Sequence, residues 1–156
     1  MVITHSGSDS VAIKTKTETV IVGPGLTIGQ FSLPGAGEYD IASIQCEGLA
    51  LTSSVAYLVR AEDLTLLVLD HLDETVTKID DASKADILIA DIRSDDTSDN
   101  LKDIVKALEP SFVVLHGAGA TDSFVEALGL PKVEGDSLKV TRTGLPLEGT
   151  SLLARA

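Results

Sequence analysis

The chain is poor in aromatic residues and in positive charge, and each shortage closes off a class of function. It has no tryptophan, two tyrosines and three phenylalanines among 156 residues, too few for the stacking platforms that hold single-stranded nucleic acid. Lysine and arginine number 12 against 24 acidic residues, a formal net charge of -12. Binding a phosphate backbone needs a basic face to displace counterions, and an anionic membrane surface makes the same demand. Neither partner is expected. The one cysteine, Cys46, cannot form an internal disulfide, and its apolar neighbours predict a small buried hydrophobe. No apolar run approaches the roughly 20 residues of a membrane-spanning helix. The opening Met-Val-Ile-Thr-His carries no basic leader region. The expectation is a soluble, cytoplasmic protein.

What is present is aliphatic. Apolar residues make up 44% of the chain, enough for a core in one domain spanning residues 1–156 without disulfide or metal. Residues 1–60 read as β: Val11, Ile13, Val20 and Val22 alternate with polar or small residues. From Gly23 to Gly37 the glycines and prolines read as turns. A long strand or bent pair is expected over Glu38–Leu51, then strands over Val55–Arg60 and Leu64–Leu69, with Glu62-Asp63 turning between them.

Beyond residue 70 the pattern changes to alternating strand and helix. Asp86–Ala90 and Ser111–Leu115 are continuously apolar after their first residue, as central strands covered on both faces are. Between them Leu101, Ile104, Val105 and Leu108 recur at helical spacing, with capping side chains at 95–100 and a stop at Pro110. A second helix is predicted near Thr121–Leu128, burying Phe124, Ala127 and Leu128 and ending at Gly129. Strand-like runs close the chain at Leu138–Thr141 and Ser151–Ala154.

Residues 62–103 hold 13 carboxylates and four bases. Such a stretch reads as solvated surface, or as a rim that attracts cations to a site. Gly117-Ala118-Gly119 lies between a strand and a helix, where backbone amides could hold an anion, but the third glycine of a dinucleotide fingerprint is missing. Asp91–Asp99 lacks the glycine and glutamate of a calcium loop. His5 reads as a solvated or hydrogen-bonded bystander. His71 follows a strand between Asp70 and Asp73, and His116 ends a central strand, the edge where α/β proteins gather binding residues. Two imidazoles with a carboxylate form a ligand set for one divalent ion, so His71, His116 and Asp70 are the candidate metal ligands.

Several strings, in order, resemble the metallo-β-lactamase fold family, especially its small metal-dependent hydrolases. Ile3-Thr4-His5-Ser6-Gly7-Ser8-Asp9 is similar to an opening Ile-Thr-x-x-Gly-His-Ser, and Gly23-Pro24 to an Asp-Pro that ends a strand. Gly35-Ala36-Gly37-Glu38-Tyr39-Asp40-Ile41 resembles Pro-Gly-Glu-Tyr-Glu-Val. Leu69-Asp70-His71-Leu72 with Val76-Thr77, Asp86-Ile87-Leu88 and Glu109-Pro110 through His116-Gly117 match later strings in spacing. The resemblance implies a reduced αββα sandwich: two sheets with outer helices.

It also implies a missing metal site. The family's His-x-His-x-Asp-His loop, which feeds two zinc ions, would follow Gly23-Pro24, yet residues 25–34 contain neither His nor Asp. The family's bridging Asp falls at His71 and the Gly-His-Ser histidine at Ser8, so His116 alone keeps a ligand position. The expectation is a degenerate, non-catalytic domain that binds or assembles, with no cofactor, a homo-oligomer in which a second copy covers an exposed sheet face, and an unidentified small-molecule ligand. The alternative is a reduced hydrolase with one zinc-like ion near His71 and His116.

Overall fold

The computed structural model describes residues 1–7, 9–52, 54–146 and 148–153. The chain runs β1 (Val2–His5), β2 (Val11–Lys14), β3 (Thr19–Gly23), β4 (Gly25–Ile28), β5 (Phe31–Ser32), β6 (Gly37–Ile41), β7 (Ile44–Ala50), β8 (Val55–Ala61) and β9 (Leu64–Leu69). It continues through two short 3-10 turns, Glu74–Lys78 and Asp80–Lys84, into β10 (Ile87–Asp91), α1 (Ser98–Leu108), β11 (Phe112–His116), α2 (Asp122–Leu128), β12 (Ser137–Lys139) and β13 (Ser151–Leu153).

Two sheets result. The first has the order β12-β1-β2-β3-β4-β5 and is antiparallel at every junction. The second has the order β13-β11-β10-β9-β8-β7-β6. Its β9, β10, β11 and β13 run parallel, and its β6–β9 stretch is antiparallel.

Side-chain alternation along each strand builds the layers. In the first sheet Ile3, Val11, Ile13, Val20, Val22 and Ile28 point inward and are buried against Tyr57, Leu66, Val68, Ile89 and Val114 of the second. The opposite face of the second sheet carries Leu58, Leu67, Leu88, Ala90 and Leu115, covered by Leu101, Ile104 and Leu108 of α1 and by Phe124, Val125 and Leu128 of α2. β10 and β11 are therefore apolar on both faces, as their continuous runs predicted.

The two-sheet sandwich with outer helices is as expected, but α1 and α2 both lie on one side. The outer face of the first sheet carries Thr4, Ala12, Lys14, Ile21 and Thr27, with Ile21 37% exposed. An antiparallel sheet tolerates water on such a face. No helix is long and apolar enough to cross a membrane among the described residues.

Several local expectations need correction. The segment from Gly23 to Gly37 is not turns alone: β4 and β5 occupy it, with Leu26 and Ile28 buried. Of the long strand or bent pair expected over Glu38–Leu51, the pair is found: β6 and β7 turn at Ala42 and Ser43, both with positive φ, and Glu62 and Asp63 make the same left-handed turn where it was expected. In α2 Val125 is buried and Ala127 is exposed. Ser8 and Ala154 lie outside the described residues. Thr97 caps α1 and Thr121 caps α2 through side-chain oxygens, each satisfying a free amide of the first turn. Cys46 is buried, and burial pushes its thiol pKa up to about 12, the state of an inert packing group.

Candidate functional site

Three neighbouring parallel strands end in polar residues. β9 is followed by Asp70, β10 ends in Asp91 and β11 in His116. The register pairs Leu69 with Ala90, and Asp91 with His116, so the three form a row across the carboxyl ends. Alternation decides which way they face. Leu69, Ala90 and Leu115 pack toward the helices, whereas Val68, Ile89 and Val114 pack between the sheets. The next residue along each strand falls in phase with the inter-sheet set.

Asp70, Asp91 and His116 accordingly line one cavity of about 240 Å³ at the open end of the sandwich. Its other walls are nearly all apolar. Val55, Tyr57 and Val68 form the floor, and Val22, Leu26, Leu33 and Pro34 close the side given by the first sheet. Gly23, Gly25 and Gly35 complete that side with bare backbone.

His116 is 2% exposed. Its Nδ1 lies 3.3 Å from the carbonyl oxygen of Asp9. A carbonyl only accepts, so Nδ1 donates, and in the neutral ring Nε2 is then a bare acceptor. That Nε2 is buried without a hydrogen-bond partner. His5 repeats the arrangement: Nε2 donates to the carbonyl of Leu115 at 2.7 Å, and Nδ1 is buried without a partner.

Burial dominates the ionisation of Asp91 and His116. It pushes the Asp91 carboxyl above its ordinary range, with His116 opposing and Asp70 reinforcing the shift. It pushes His116 down, with Asp91 and the Asp9 carbonyl opposing. Asp70 has a counter-ion, Arg93, at 3.7 Å across a half-exposed gap. Asp91 has none among the described residues.

The signs predict a titration. His116 should protonate below its ordinary value of 6.5. The stability gained by keeping it neutral is complete above pH 6.5 and is lost as pH falls through the lowered folded-state value. Asp91 acts oppositely: stability is lost as pH rises from 3.8 through its raised value. In Asp91→Asn the His116 midpoint should move further down, because the attraction opposing burial is gone. Imidazole NMR signals followed against pH check this, and a midpoint above 6.5 or an upward move in the variant contradicts it.

The Gly117-Ala118-Gly119 turn has a packing role. A Cβ at Gly117 would run into the Asp91 carboxylate and stand 2.6 Å from the Ile92 carbonyl oxygen, and Gly117 has φ +97°. A Cβ at Gly119 would overlap the Arg93 carbonyl. Gly119 N–H donates to Ile92 at 2.8 Å. The glycines let the β11–α2 turn lie against the end of β10, which explains them without an anion.

The expected metal ligands are only partly brought together. Asp70 and His116 share the cavity, but His71 is not in its lining; its carbonyl accepts from Asp73 N–H at 3.0 Å in the turn after β9. Asp91 was not singled out from sequence, and His5, read as a bystander, reaches the end of β11. Imidazole and carboxylate are suitable donor types for zinc. Yet no three His, Cys, Asp or Glu side chains are grouped to hold one ion among the described residues.

No family model matches the chain, and no curated protein matches it. A solved structure does: a Thermotoga maritima protein described as a candidate Zn-dependent hydrolase of the metallo-β-lactamase superfamily, aligned over 100% of both chains with a TM-score of 0.75 and 14% identity. At that identity the likeness is one of fold. The small two-sheet architecture is metallo-β-lactamase-like, and its compact size is shared with that neighbour.

Proposed function

We propose that this chain is a non-catalytic domain of metallo-β-lactamase-like fold that acts as a binding module through the cavity at the ends of β9, β10 and β11. The observation that carries the reading is the composition of the wall facing Asp91 and His116. A hydrolase of this fold would place metal-binding side chains after β3. Here that segment presents Gly25, Leu26, Leu33, Pro34 and Gly35, none of which can coordinate an ion through its side chain. Without opposing ligands there is no route to an activated, metal-bound water.

What remains is a concave site with an apolar side and a few convergent polar groups, the usual make-up of a small-molecule site. His116 and Asp91 would orient a ligand, and the aliphatic wall would exclude water from it. The test is hydrolysis of lactone and phosphodiester substrates with zinc or manganese added. No turnover above that of His116→Ala is expected. Turnover that needs metal and is lost in His116→Ala would overturn the proposal in favour of a hydrolase with a single ion.

A further inference from the structure

Resting on that reading, we infer that the cavity takes a small organic cation: an alkylammonium whose nitrogen sits between Asp91 and His116 and whose short aliphatic chain lies against Val22, Leu26 and Leu33. The polar inventory sets the charge and the donor count. Asp70 and Asp91 are carboxylates, and His116 Nε2 is a bare acceptor because Nδ1 already donates to Asp9. Among the lining side chains Tyr57 alone can donate, and its hydroxyl can equally accept. A carboxylate or phosphate ligand would meet two carboxylates and an acceptor nitrogen at the polar end. An ammonium brings three N–H donors and the missing positive charge.

Asp91, not Asp70, is the anchor. Arg93 stands 3.7 Å from Asp70, and although its charge also reaches Asp91, Asp91 has no ion pair within 4 Å among the described residues. The buried, unpartnered Nε2 of His116 is the independent sign that a donor is absent, since a buried acceptor that nothing reaches is destabilising.

The register sets Asp91 beside His116 on neighbouring strands, so one donor group in the cavity they share can reach both side chains. The cavity, about 240 Å³, falls below the roughly 300–1,000 Å³ typical of drug-sized ligands, which limits the chain to a few carbons.

The experiment titrates the full chain with n-butylammonium, n-butanol, butyrate and zinc alone at fixed ionic strength, and follows the backbone amides of Gly23, Gly25, Gly35 and Asp91 by NMR. Butylammonium should move these signals saturably and bind at least tenfold more tightly than butanol or butyrate. Asp91→Asn should weaken it at least tenfold. Asp103→Asn makes the same charge change on the exposed face of α1 and should leave affinity within twofold. The ligand comparison uses the unsubstituted protein and needs no variant to fold. Butanol or butyrate binding as tightly at the same amides would overturn the ammonium assignment and leave the cavity a binding site. No saturable shift with any organic probe would overturn both readings. Zinc moving these amides at one equivalent would overturn the binding module in favour of a metal site. An equal loss in Asp103→Asn would reduce the effect to net charge and overturn the site.

Discussion

Gly119→Ala is expected to destabilise the domain by about 3 kcal/mol, the upper end of overpacking penalties, with no loss of contacts to account for it. The added Cβ would overlap the carbonyl of Arg93 and stand 2.9 Å from Cγ2 of Ile92. Backbone cannot rotate away as a side-chain tip can, so the turn after β11 must lift off the end of β10. Gly117→Ala should cost at least as much, since strain at φ +97° adds about 1–2 kcal/mol to the clash. Gly129 supplies the control. Its φ is +66° and nothing lies within 4 Å of the new Cβ, so Gly129→Ala should cost only about 1–2 kcal/mol. Urea unfolding of the three variants measures the ranking. Equal costs at Gly119 and Gly129 would contradict the close approach, and would reopen the turn as a place where backbone amides face a ligand.

Ile89→Ala should cost about 2–5 kcal/mol and Ile21→Ala under about 1 kcal/mol, although the same atoms are removed. Ile89 is fully buried on β10 between the sheets, where the vacated space is walled by strands on both sides. Ile21 is 37% exposed on the outer face of the first sheet. The pair tests whether that face is open to solvent. A cost at Ile21 close to that at Ile89, rising with protein concentration, would mean that a second copy covers the sheet.

How far the fold could be read from sequence depended on how strongly each segment repeats. β10, β11 and α1 follow from Asp86–Ala90, Ser111–Leu115 and the 101–104–105–108 stripe, because a run apolar on both faces or a full helical stripe has few other readings. β4 and β5 escaped notice because Leu26 and Ile28 alternate only once, among glycines that equally mark turns. Ala127 differs for a related reason: in a helix of seven residues, Val125 and Ala127 lie on either side of the Phe124–Leu128 stripe, and spacing alone suits both.

The site was half legible. His116 follows from its place at the end of a central strand, and Asp70 was chosen with it. His71 pairs with His116 in the sequence as a second imidazole after a strand, yet position decides more than residue type here. Asp70 is two residues past Val68 and falls in phase with the inter-sheet layer. Asp91 falls in the same phase after Ile89, as His116 does after Val114. Three apolar runs each ended by a polar residue, Leu69-Asp70, Ala90-Asp91 and Leu115-His116, are a sequence signal for the row. The contact of His5 with Leu115 is different: it joins positions 110 residues apart and needs the sheets stacked before it exists.

The most direct test of the account is the metal content of protein exposed to zinc, manganese and iron and then desalted, measured by elemental analysis beside His116→Ala and Asp91→Asn. A row faced by a wall without ligating side chains predicts well under one equivalent of retained metal, unchanged in either variant. Near-stoichiometric metal that is lost in both variants would contradict the account, and would make the ends of β9, β10 and β11 a metal centre.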